Sequence, residues 1–157
     1  MSMNYFRNIS ANILVFACGY LGMLFLQRLN QYLNIASFQL PVYIGNLLIV
    51  IGVSIRIWAS IAFSKSKVEI FGMLGIDDHR KLIISGPYQY SRNPLYVGIV
   101  LITLGFALLA GSFVGLILTF LFFIFWDYLI KSREEPELEN IFGDEYLNYK
   151  LKVNRWI

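Results

Sequence analysis

A bilayer core is about 30 Å thick and takes roughly 20 apolar residues of helix to cross. This chain of 157 residues contains three apolar regions of that length or more. The first, residues 9–29, is interrupted only by weakly polar side chains such as Asn12. The second, residues 42–63, is opened by Pro41, which suits a first helical turn, and carries Arg56 inside it. The third, residues 95–130, is too long for one crossing, and Ala110-Gly111-Ser112 near its middle predicts a tight turn between two helices. The pattern predicts an all-α integral membrane fold of about four transmembrane helices, the last two forming a helical hairpin.

With 57% hydrophobic and 15% charged residues, the composition is far from that of a soluble domain. The length allows a single membrane domain, 1–157, so any site must be built between a few helices and their connecting loops. The one cysteine, Cys18, excludes a disulfide framework or a thiolate metal cluster within the chain. The first apolar run is too long for a signal peptide and lacks a small-residue cleavage site. Arg7, Lys65, Lys67, Arg80, Lys81, Arg92, Lys131, Arg133, Lys150, Lys152 and Arg155 fall on one side of a four-span arrangement, and only Arg28 on the other. Basic residues favour the cytoplasmic side, so both termini, the long loop and the active site are expected to face the cytoplasm. Gly45, Gly52, Gly98, Gly105 and Gly115 read as points of close helix approach.

The chemistry is concentrated in two polar segments: a loop of about thirty residues after the second span, and a tail of similar length after the hairpin. In the loop, Gly86-Pro87 reads as a turn, and Arg92-Asn93 precede Pro94, the expected start of a helix. Such a helix start presents backbone N–H groups to an anion. After the hairpin come Arg133-Glu134-Glu135, then Phe142-Gly143-Asp144-Glu145-Tyr146 and Tyr149. Taken alone, the paired carboxylates read as solvated charge at a helix end. Within the second span, Arg56 either snorkels to the interface or faces the site. Asp127, nearer a span end, reads as an ion-pair or tail contact.

The ordered set resembles the isoprenylcysteine carboxyl methyltransferase and phospholipid methyltransferase group of integral membrane enzymes. In that group a Gly-x-Tyr turn, an Arg-His-Pro-x-Tyr helix start, a Glu-Glu pair and a Phe-Gly-x-x-Tyr-x-x-Tyr tail recur together. Here they are Gly86-Pro87-Tyr88, Arg92-Asn93-Pro94-Leu95-Tyr96, Glu134-Glu135 and Phe142-Gly143-Asp144-Glu145-Tyr146-Leu147-Asn148-Tyr149. The resemblance covers a methyltransferase-like core, 51–157, and leaves the N-terminal span, 1–40, without a distinctive match.

The resemblance implies S-adenosylmethionine as methyl donor and S-adenosylhomocysteine as product, held by a cytoplasmic cofactor-binding loop and a C-terminal helical tail. By position it carries cofactor binding onto Arg80, Lys81, Leu82, Ile83, Tyr88, Asn93, Pro94, Leu95, Tyr96, Glu134 and Glu135. Arg92 and Asn93 fall on the catalytic positions, and Arg56 and Arg133 are the candidates for substrate binding. Ribose hydroxyls suit a carboxylate such as Glu134, and a sulfonium suits the face of Tyr88 or Tyr96. Methyl transfer is a direct displacement that needs alignment and exclusion of water, with no metal or covalent nucleophile. The expected partners are a lipophilic acceptor arriving from the bilayer and membrane lipids, with no nucleic acid.

Two departures from the pattern bear on the acceptor. Asn93 stands where the group has histidine; the chain's only histidine, His79, precedes Arg80 in the loop and reads as solvated. Ile130 stands where the prenylcysteine enzymes carry a substrate-binding arginine; either Lys131 or Arg133 compensates, or the acceptor is not a carboxylate and an amine or thiol takes its place. Sterol-type reductases that use NADPH share the helix-start motif, but Leu95 and Gly98 favour methyl transfer. A non-enzymatic small membrane protein leaves both motifs unexplained.

Overall fold

The computed structural model describes residues 3–65 and 82–157, with side chains described for 10–62 and 82–157. Every named element among them is helical: α1 (Met3–Tyr32), α2 (Val42–Lys65), a 3-10 turn at Gly86–Gln89, α3 (Pro94–Leu109), α4 (Phe113–Leu129), a π-helical turn at Ile130–Glu134, α5 (Glu135–Phe142) and α6 (Asp144–Lys152). Among the described residues, three stretches are long and apolar enough to cross a bilayer: Ser10–Tyr32, Val42–Ala62 and Phe113–Phe142. The helix expected as the third of four spans, α3, is a shorter apolar helix. The outer faces carry exposed Leu21, Phe25, Val50, Phe120 and Leu121, as suits helices solvated by lipid.

The hairpin turn falls at the predicted Ala110-Gly111-Ser112. Ser112 caps α4 by accepting a hydrogen bond from the Gly115 amide at 3.1 Å, and its hydroxyl donates to Asn30 Oδ1 at 3.1 Å. The Phe38 amide donates to the Gly111 carbonyl at 3.0 Å. These contacts tie the α1–α2 connection to the α3–α4 turn at one end of the molecule. The helix-start and acidic motifs therefore gather at the other.

The tightest packing joins α2 and α3, and it depends on glycines seven residues apart on each helix. A Cβ at Gly52 would lie 2.7 Å from the Gly98 carbonyl, and one at Gly105 would lie 2.7 Å from the Gly45 carbonyl. Lipid supplies no hydrophobic force to press helices together, so this backbone approach, with the dispersion contacts it permits, carries much of the association. Ile49, Ile102 and Phe106 form the buried cluster alongside, closed by Val15 and Met23 of α1. The reading of these glycines as packing positions is borne out.

The charged tail expected after the hairpin is more ordered than its sequence suggests. Helix α4 runs through the π turn directly into α5, with the Glu135 amide donating to the Ile130 carbonyl. Pro136 accounts for the wider turn, since it has no N–H to give and its ring crowds the carbonyl one turn earlier. Gly143 joins α5 to α6 with φ 51° and ψ −128°, a backbone that side-chain-bearing residues avoid. Leu138 and Phe142 of α5 then pack with Tyr146 and Tyr149 of α6 around Leu82.

Candidate active site

Arg56 is 6% exposed and does not snorkel out. Its Nε donates to Asn12 Oδ1 at 2.9 Å and its guanidinium to the Leu95 carbonyl at 3.0 Å. The Asn12 amide in turn donates to Ser60 Oγ at 2.9 Å, so α1, α2 and α3 meet in one polar chain within the apolar layer. Gly98 makes room for it, because a Cβ there would collide with Arg56 Cγ. The guanidinium lies close enough to both phenols, Tyr88 and Tyr96, to interact with them electrostatically. Of the two readings of Arg56, the inward-facing one describes the structure.

Tyr96, on the first turn of α3, donates its phenol to Glu134 Oε1 at the end of the π turn. Its ring packs against Trp126 of α4, with centroids 4.5 Å apart. Tyr88 lies in the 3-10 turn, buried against Ala59 and Ala62 of α2 with Ile83 and Leu95 alongside. Its carbonyl accepts the Tyr149 hydroxyl at 2.6 Å. Burial pushes both the Tyr88 and Tyr149 phenols above their ordinary values, so both stay neutral at physiological pH.

Glu135 points elsewhere, as adjacent helical residues must, projecting roughly 100° apart. It is 3% exposed and surrounded by cations. Arg155 grips both its oxygens, at 2.8 and 3.0 Å, while Arg92 lies 3.0 Å from Oε1 and Lys150 3.4 Å from Oε2. Arg92 also donates to the Tyr146 hydroxyl at 3.4 Å. Asp127 holds the chain after α6, accepting from Trp156 Nε1 at 2.8 Å and from Arg155 at 3.3 Å, as its tail-contact reading expects. Asn93 is the residue before α3, but its side chain does not cap the helix; it donates to the Arg155 carbonyl at 3.1 Å.

The structure thus brings together Arg56, Tyr88, Arg92, Asn93, Pro94, Leu95, Tyr96, Glu134 and Glu135. Leu82 and Ile83 adjoin the group as packing residues of the two apolar clusters beside it. Arg133 is exposed on the π turn, outside these contacts. Ile130, at the position of the expected arginine, is 1% exposed and packs inward. Arg80, Lys81 and His79 lie outside the described residues. Asn12, Ser60, Trp126, Arg155 and Trp156 join the site without having been singled out for it. Asn12 carried a signal only as a polar residue inside an apolar span. Arg155 carried none beyond its charge.

Two buried N–H groups here, Trp126 Nε1 and Arg92 Nε, have no hydrogen-bond partner among the described residues. Such donors are costly to leave unmet and suit a ligand with acceptor atoms, as a carboxylate or a ribose has. Glu134, by contrast, offers an acceptor for hydroxyl or ammonium hydrogens. The donor and acceptor set therefore fits S-adenosylmethionine.

Comparison with known proteins identifies relatives of the chain. The chain is 38% identical to protein-S-isoprenylcysteine O-methyltransferase of Schizosaccharomyces pombe over 74 residues, 46% of this chain and 30% of that protein. It is 28% identical to a probable protein-S-isoprenylcysteine O-methyltransferase of Oryza sativa subsp. indica over 156 residues, 94% of this chain and 80% of that protein. No solved structure matches. The profile of the phospholipid methyltransferase family matches residues 40–145, spanning α2, the helix-start motif, the hairpin and the acidic pair. The chain belongs to the phospholipid methyltransferase family and is a membrane-embedded member of that family of methyltransferases.

Proposed function

We propose that this protein transfers the methyl group of S-adenosylmethionine to a lipophilic acceptor at the membrane–cytoplasm interface. The observation that carries the reading is the contact between Tyr96 and Glu134. It joins the helix-start motif to the acidic motif across the whole hairpin, with Tyr88 and Arg56 beside it. The bound cofactor supplies an electrophilic methyl on a sulfonium. Glu134 and Tyr96 hold its hydroxyl or ammonium hydrogens, the Trp126 and Arg92 N–H groups meet its acceptor atoms, and the aromatic faces exclude water. Leu82, Ile83, Pro94 and Leu95 shape the apolar wall.

Both termini and the site face the cytoplasm in this reading, with α3 as the third of four spans. The one-sided distribution of Lys and Arg and the reversal of consecutive helices support it. Arg56, buried and positively charged, favours an acceptor that arrives as an anion, such as the carboxylate of a prenylated cysteine. Arg133, at the interface, meets the polar part of the same molecule. A carboxylate is already ionised at neutral pH, whereas an amine must first lose a proton. In a screen with radiolabelled donor, label in a prenylcysteine and none in amine lipids is the expected pattern.

Calorimetric titration of the purified protein in detergent tests the cofactor. Binding of S-adenosylhomocysteine without binding of NADPH is expected, and the reverse would remove the methyltransferase reading. Glu134→Gln is expected to weaken S-adenosylhomocysteine about tenfold, the usual scale for losing a hydrogen bond to a charged group. Its melting midpoint should stay close to that of the parent, since Gln still accepts from Tyr96. Unchanged affinity would take Glu134 out of the site.

A further inference from the structure

We propose that residues 153–157, which follow α6, act as a strap that sets the position of the Arg92-Asn93 turn, with Arg155 as its positioning residue. The inference rests on the methyltransferase reading above and extends it to a segment that no motif covers. Three hydrogen bonds pass from the turn to the strap: the Arg92 amide to the Asn154 carbonyl at 2.9 Å, Ser91 Oγ to the Arg155 carbonyl at 3.2 Å, and Asn93 Nδ2 to the same carbonyl at 3.1 Å. The strap is anchored on its other side. The Arg155 guanidinium grips Glu135 through two bonds and reaches Asp127, and the Trp156 ring lies 4.7 Å from Phe123 while its N–H donates to Asp127.

One residue therefore bonds the start of α3 through its backbone and the end of α4 through its side chain. A shift of Arg155 must shift Asn93, and with it the first turn of α3, where Tyr96 meets Glu134. The arrangement also gives Asn93 a defined job. Its amide N–H is committed to a main-chain carbonyl, and an amide does not titrate, so Asn93 holds geometry instead of carrying a proton.

The test is a double-mutant cycle on S-adenosylhomocysteine affinity with Arg155→Gln and Asn93→Ala, measured well below each variant's melting midpoint. Each single change is expected to weaken binding about tenfold, the scale of one lost charge-assisted or buried hydrogen bond. The double variant is expected to be little worse than either single one, because both act through the same strap. Arg155→Lys should recover part of the loss, since it restores the charge without the two-pronged grip. Hydrogen exchange provides a readout without ligand: amides of residues 91–93 should exchange about tenfold faster in Arg155→Gln, while those of the α2–α3 interface stay unchanged. Multiplicative losses in the double variant would overturn the strap. So would a lowered midpoint with parental affinity, or unaltered exchange at 91–93. Failure of the parent protein to bind S-adenosylhomocysteine would instead sink the methyltransferase reading, and the exchange comparison would still decide whether Arg155 sets the turn.

Discussion

Gly98→Val is expected to give a protein that no longer melts cooperatively in detergent and binds no S-adenosylhomocysteine. The first atom added at position 98 meets two obstacles at once. One is the Gly52 carbonyl, 2.7 Å from the added Cβ, and the other is the Cγ of Arg56. The carbonyl belongs to the backbone of α2 and cannot turn aside, so the two helices must separate. Overpacking of a close interface costs about 1–3 kcal/mol or more. Separation here also draws Arg56 away from Asn12 and the Leu95 carbonyl, leaving a charge inside the apolar layer with fewer partners. Gly22→Val is the matched control. A Cβ at Gly22 meets nothing within 4 Å, so that variant should melt like the parent apart from a small propensity effect. Equal behaviour of the two variants would mean that the α2–α3 approach does not hold the fold.

The same pair of positions marks what can be read from one sequence. The first two spans, the turn at 110–112 and the small residues at close approach follow from local composition and emerged where expected, whereas α3 is shorter than the crossing expected of it. Pairing partners do not follow in this way. Nothing local says that Asn12 meets Arg56, because α1 and α2 are matched through three-dimensional packing. Arg155 lies 20 residues from Glu135 and 62 from Asn93, and its place depends on how α6 folds back. The π turn was equally hidden. Lys131 to Glu135 read as the polar sequel to a span, and the helix continues through them because Pro136 is accommodated by a wider turn rather than a break. The motifs at Tyr88, Arg92 and Glu134 were legible only through the company they keep in a family, and the structure supplies the contacts that join them.

Glu134 and Glu135 are neighbours of the same chemistry, and they are expected to respond oppositely to substitution. Glu135→Ala should destabilise the protein by about 3–5 kcal/mol, the range found when one partner of a buried ion pair is removed. The reason lies in what remains behind. The Arg92 side chain is 8% exposed, and Glu135 is the only carboxylate paired with it among the described residues. Arg155 keeps Asp127 but loses both bonds to Glu135, so its grip on the strap weakens as well. Lys150 retains Glu139 at 2.6 Å and should contribute little to the loss. Thermal melting in detergent measures the fall, and Glu139→Ala provides the comparison, since its lysine partner is 35% exposed and such pairs contribute about 1 kcal/mol or less. A Glu135→Ala protein as stable as the parent would mean that these cations do not depend on their shared carboxylate. A Glu134→Gln protein that unfolds would reverse the division of labour, making the first carboxylate the clamp. The two adjacent acids therefore separate fold from ligand: one is enclosed by two arginines and a lysine from three segments of the chain, and the other turns to Tyr96.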